Sequence, residues 1–132
     1  MGIRLRVLLD THTLLWWVIG DSRLSDRAHD LLSSRQSEVY VSAASAWEVT
    51  TKVRLGKLPG AEKLAAEFPE RIELLGFHKL PVTVEHAQRA GLLPIDHKDP
   101  FDRMLIAQAV AENMPIVSNE RSFDDWLVRR IW

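Results

Sequence analysis

Five carboxylates carry the chemistry this sequence could do: Asp10, Glu48, Asp99, Asp102 and Glu120. Asp10 ends the apolar run Arg6-Val7-Leu8-Leu9, and Glu48 comes a few residues after Glu38-Val39-Tyr40-Val41. Asp99 and Asp102 bracket Pro100-Phe101 at the head of an apolar stretch, and Glu120 follows Met114-Pro115-Ile116-Val117-Ser118. If the apolar runs are parallel strands, their carboxyl ends share one sheet edge and the acids converge there. Carboxylates gathered without an equal number of cations repel one another, so the cluster persists by binding protons or a divalent metal. Oxygen-only ligands point to Mg2+ or Mn2+, and no histidine-pair spacing argues for zinc. Hard cations held this way meet substrate through phosphate oxygens. The chemistry is then hydrolysis, with metal-activated water as the nucleophile and no side-chain nucleophile needed.

Each acid alone also has a structural use. Asp10 can cap the helix that follows it. Asp99 suits an N-cap and Pro100 a first helical turn, with Asp102 placed to favour the helix dipole. Glu48 can close a capping box with Ser45, although Ser42 is an equally good cap. Their number at one edge is what argues for chemistry.

The elements that must position these acids alternate. Residues 6–9 form a continuous apolar run of the kind buried in a parallel sheet, and a helix pattern begins at Thr11. A helix starts at Ser25 and runs to about Ser34, with Ala28, Leu31 and Leu32 inward, then residues 38–41 form a second strand and residues 42–52 open another helix. Residues 64–75 read as helical with a break at Pro69, and residues 79–82 as a short extended piece. Thr83 caps a helix to about Ala90, ended by Gly91 and Pro94. A helix follows from Pro100, then strands at residues 114–118 and, near an edge, 127–131. The pattern predicts one α/β domain, residues 1–132, with a mostly parallel central sheet and helices on both faces.

Composition narrows the function. At 132 residues and 46% hydrophobic, the chain can bury roughly two-thirds of the surface its unfolded form exposes. It has no cysteine, which excludes disulfides, thiolate metal sites and a thiol nucleophile. No apolar run reaches signal-peptide or membrane-spanning length, so we read a soluble, cytoplasmic protein. The net charge is −1, so contact with nucleic acid would need local basic patches. Two are available: Lys52 and Arg54 with Lys57, and His97, Lys98 and Arg103 around Asp99 and Asp102. Either could touch phosphate, and either could be ordinary solvated surface. Trp16, Trp17 and Trp47, set among aliphatic residues, read as core or dimer packing in preference to RNA stacking.

Four segments, in this order, resemble the PIN-domain ribonucleases and, more narrowly, the VapC-type toxins of toxin–antitoxin modules. They are residues 8–17 (LLDTHTLLWW), residues 42–48 (SAASAWE), residues 97–103 (HKDPFDR) with Ala107-Gln108-Ala109, and residues 116–120 (IVSNE). The resemblance runs nearly end to end. It implies a PIN-like fold, an endoribonuclease dependent on Mg2+ or Mn2+, a homodimer, and a cognate antitoxin that occupies the active-site groove. Asp10, Glu48 and Asp102 match the family's first three acids. Glu120 stands where aspartate is commoner, one methylene longer, and Asp99 is an additional contributor. Thr11 and Ser118, beside the acids, are placed to orient a carboxylate or water. Two rivals remain. An aspartyl-phosphate phosphotransferase needs a second acid two residues after the first, where this chain has His12. A catalytically silent PIN-like module would use the same acids only as caps.

Overall fold

The computed structural model describes residues 4–96 and 99–132. Strand β1, Leu5–Leu9, sits at the centre. Its Val7, Leu8 and Leu9 have no exposed surface, as expected of a strand covered on both faces. The period of two sorts them: Val7 and Leu9 join one core with Leu14, Val41, Val49 and Ile72, while Leu8 joins a second with Leu105, Ile106, Ile116 and Phe123. One strand thus feeds two cores, and helices pack on both sides of the sheet.

The order of elements is β1, α1 (Thr11–Ile19), α2 (Asp26–Ser33), β2 (Ser37–Ser42), α3 (Ala43–Arg54), α4 (Glu62–Ala66), α5 (Phe68–Leu74), β3 (His78–Leu80), α6 (Val84–Leu92), α7 (Pro100–Ala111), β4 (Ile116–Val117), a 3-10 turn (Arg121–Asp125) and β5 (Arg130–Ile131). The five strands are all parallel, in the spatial order β3-β2-β1-β4-β5. The chain works outward from β1 through β2 to β3, then crosses back to place β4 on the other flank of β1. Open parallel sheets present a crevice at such a reversal, outside the carboxyl ends of the strands. Here that crevice lies past Leu9 and Val117, which are partners in register.

Local signals account for most helix boundaries. Ser25 Oγ accepts from the Ala28 N–H, and Thr83 and His86 form a reciprocal capping box at the head of α6. The break between α4 and α5 falls at Glu67. Pro69 is therefore in the first turn of α5, where its missing N–H leaves nothing unsatisfied. The last strand is shorter than the 127–131 run predicts. Its ladder begins when Ile116 N–H donates to the Arg129 carbonyl at 2.9 Å, and Leu127 stands 95% exposed before it. Of the tryptophans, Trp16 is buried and Trp17 half-buried, but Trp47 is 66% exposed and meets the Phe101 ring edge-on at 5.0 Å. Among the described residues no helix is long and apolar enough to cross a membrane.

Candidate active site

Asp10 lies where β1 gives way to α1, in extended backbone at the helix N-cap position, yet its side chain makes no capping hydrogen bond. It accepts instead from Ser118 Oγ at 2.8 Å, just past β4. The carboxylate is 5% exposed. Burial pushes its pKa up, and the nearby Glu48 charge adds to that; the Ser118 hydroxyl, His12 and the Thr11 backbone N–H pull the other way without cancelling it. A buried carboxylate so placed gains from a neighbouring cation.

Glu48 enters from α3. Ser42 caps that helix by accepting from the Ala44 N–H at 2.9 Å. Ser45 is bonded to the Thr11 hydroxyl at 2.9 Å, so α3 is capped through Ser42. Glu48 is therefore well inside the helix and 5% exposed. Its Oε2 accepts from Lys52 Nζ at 2.5 Å.

That bond corrects the place assigned to Lys52. The sequence groups it with Arg54 and Lys57 as an outward basic patch, whereas its ammonium is turned inward among the acids. Burial alone would lower its pKa; the bond to Glu48 and the charges of Glu48, Asp99 and Asp102 outweigh that and hold it above its ordinary value. The i, i+4 spacing puts the two side chains on one face of α3. Arg54 and Lys57 are exposed.

Helix α7 brings the next pair. Asp99 Oδ1 accepts from the Phe101 N–H at 2.8 Å and, more weakly, from the Asp102 N–H at 3.4 Å, so it caps the helix and remains exposed. Asp102, half-buried in the first turn, is among the charges that act on Lys52. Arg103 points elsewhere. Its guanidinium donates to the carbonyl oxygens of Ala90 at 2.6 Å, Leu93 at 2.9 Å and Gly91 at 3.2 Å, and also to that of Ile95. It therefore closes the end of α6, both terminal nitrogens of the guanidinium being engaged by backbone carbonyls, a structural use beside the phosphate contact expected of it. His97 and Lys98 lie outside the described residues.

Glu120 is joined to the site through its backbone: its N–H donates to Ser118 Oγ at 2.9 Å, while its exposed carboxylate accepts from Ser122 at 3.0 Å. Ser118 thus bridges Asp10 and the Glu120 main chain. Thr11 engages Ser45 through its hydroxyl and Asp10 through its N–H. From sequence, Ser45 suggests only a capping box with Glu48. Its position in a run of small residues gave no sign that it would meet Thr11.

The donors suit a hard divalent ion, being oxygen-only and including two buried carboxylates. Among the described residues, however, no three acid or imidazole groups stand as a finished ligand set. Glu48 is engaged by Lys52, Asp99 by its helix terminus and Glu120 by Ser122. The residue types fit the ion, and the side chains would have to turn to hold it.

The family model described as "PIN domain" matches residues 7–126. Over 55 residues the chain is 42% identical to Ribonuclease VapC16 of Mycobacterium tuberculosis, a match spanning 42% of this chain and 38% of that protein. Among solved structures, VapBC2 from Rickettsia felis, bound to a DNA fragment from its promoter, superposes with a TM-score of 0.68 at 14% identity, over 96% of this chain and 98% of that one. VapC20 of M. tuberculosis, described as a Sarcin-Ricin loop cleaving toxin, gives 0.63 at 18% identity, over 93% and 98%. At these identities the superpositions speak to the fold.

Proposed function

Since the chain belongs to the PIN domain family, we propose that it is a divalent-metal-dependent endoribonuclease of the VapC type, the toxin of a toxin–antitoxin pair. The observation that carries the reading is the buried Asp10 carboxylate at the sheet's crevice, fixed by Ser118 and set near Glu48. The 42% identity to a protein named as a ribonuclease supports the substrate class. We assign Asp10, Glu48 and Asp102 as the groups that would hold Mg2+ or Mn2+, with Asp99 and Glu120 contributing directly or through water. When bound, such an ion lowers the pKa of its water and offsets charge growing on the phosphate and the leaving oxygen.

The chain's own contribution is orientation. Ser118 fixes one oxygen of Asp10, and the Glu120 N–H in turn fixes the Ser118 hydroxyl. Thr11 and Ser45 tie the start of α1 to the start of α3, so Asp10 and Glu48 are carried by linked elements. Arg54, at the exposed end of α3, and His97 are the residues we assign to RNA phosphate. Replacing Arg54 with alanine weakens RNA binding and lowers its salt slope by about one phosphate contact. The reading also takes a protein antitoxin and a second copy of this chain as partners, in the cytoplasm.

The test is cleavage of an RNA pool by the purified chain with Mn2+, with Mg2+ and with chelator, beside Asp10→Asn and Asp102→Asn. Metal-dependent cutting that both variants lose supports the reading. Saturable RNA binding without cutting, in any metal, returns the acids to capping and pairing and makes the chain a silent interaction module.

A further inference from the structure

Lys52 is lodged among the carboxylates on which the proposed function rests. Its Nζ is 2.5 Å from Glu48 Oε2, with side-chain exposures of 30% for the lysine and 7% for the glutamate. The charges of Asp99 and Asp102 also act on its ammonium. A lysine near the end of an exposed helix ordinarily carries its ammonium into water. This one is folded back to the point where a nearly buried carboxylate needs a cation, because an unpaired charge there is costly.

We propose that Lys52 is the resident counter-cation of the acid cluster, and that a divalent ion enters by displacing its ammonium from Glu48. The inference rests on the metal-dependent reading above. Glu48 Oε2 engaged by an ammonium at 2.5 Å cannot give its full charge to a second cation, and two cations at one carboxylate repel. Lysine suits the exchange: its charge rides on a flexible four-carbon stem and its bond to a carboxylate is single, without the two-pronged geometry of arginine. The residue would then set the metal affinity of the site while keeping the metal-free acids from repelling one another.

The test needs no RNA. Mn2+ is titrated calorimetrically into the full wild-type chain, Lys52→Met and Lys52→Arg, and each is melted with and without the ion. Lys52→Met binds Mn2+ several-fold to about tenfold more tightly, melts lower without metal and gains more from it, since one competitor for Glu48 has gone. Lys52→Arg binds Mn2+ no more tightly than wild type, because a two-pronged pair is harder to displace. In the wild type, NMR resonances of the Lys52 side chain move to those of a solvent-exposed lysine as Mg2+ saturates, a readout that does not depend on either variant folding. Lys52→Met with unchanged or weaker affinity, or Lys52 resonances unmoved at Mg2+ saturation, overturns the inference and leaves the metal site standing. Absence of saturable Mn2+ binding in all three proteins overturns both.

Discussion

Ser118 donates a hydrogen bond to Asp10 at 2.8 Å across 108 positions of sequence. Both residues are buried, at 0% and 5% exposure, and they stand at the ends of adjacent parallel strands. Replacing Ser118 with alanine removes this donor and the acceptor for the Glu120 N–H at once. The loss costs about 2 kcal/mol in urea unfolding at neutral pH, typical of a buried bond to a charged group. RNA cleavage falls with it, and Asp10, followed by NMR titration, shifts to a still higher pKa.

Asp10→Asn is expected to make the metal-free protein more stable at neutral pH. The folded pKa of Asp10 is raised by burial, so the native state binds more protons than the unfolded one between the ordinary value of about 4 and the folded value. Stability therefore falls as pH rises through that window, and the full penalty is present above it. The asparagine variant removes the penalty, so its advantage in melting temperature disappears below about pH 4. A neutral-pH melting temperature below wild type would show that the charge of Asp10 is already compensated.

Asp99 performs two tasks that substitution can separate. Asp99→Ala loses the cap on α7 and costs about 1 kcal/mol, whereas Asp99→Ser keeps a capping oxygen and removes only the carboxylate. If Asp99 helps to hold the ion, Asp99→Ser shows near-normal thermal stability with weakened Mn2+ binding. Equal Mn2+ binding by Asp99→Ser and wild type assigns the residue to capping alone.

Arg103→Ala is a stability variant. Its guanidinium serves four carbonyl oxygens at and beyond the end of α6, and loss of the whole set costs about 2–4 kcal/mol in chemical denaturation. Arg103→Lys recovers only part, since an ammonium cannot reproduce the planar fork. Any RNA-binding defect tracks the fraction of unfolded protein, and the salt slope of binding stays that of wild type.

What was legible in the sequence follows from the range of the interaction involved. The apolar run Val7-Leu8-Leu9 of β1 announces a strand covered on both faces, and these residues fill that place. The cap at Thr83 is a contact within one turn and is readable as such, and the helix start read at Ser25 falls on its cap. The carbonyls that Arg103 meets lie on α6 and just past it, and nothing in its neighbours Asp102 and Met104 indicates that α7 packs at the end of α6. Lys52 shows a different limit. The i, i+4 spacing from Glu48 was visible, but so was its nearness to Arg54 and Lys57, and only the rotation of α3 decides which grouping holds. Trp47, 66% exposed, sits in an apolar segment whose periodicity does not reveal that its ring faces outward.

The strand order carries a consequence for how the site comes into being. Asp10 emerges in the first strand, but the hydroxyl that fixes it arrives only past β4, and β4 takes its place on the open flank of β1. A chain ending before Ile116 can still pair β1, β2 and β3, since none of those ladders uses later residues. It would nonetheless expose Leu8 and Leu9 along an unpaired edge and leave Asp10 without Ser118. A chain of that length therefore carries four of the five acids, Asp10, Glu48, Asp99 and Asp102, before it can fix Asp10 through Ser118. Assembly of the centre waits for β4, the fourth of the five strands in chain order.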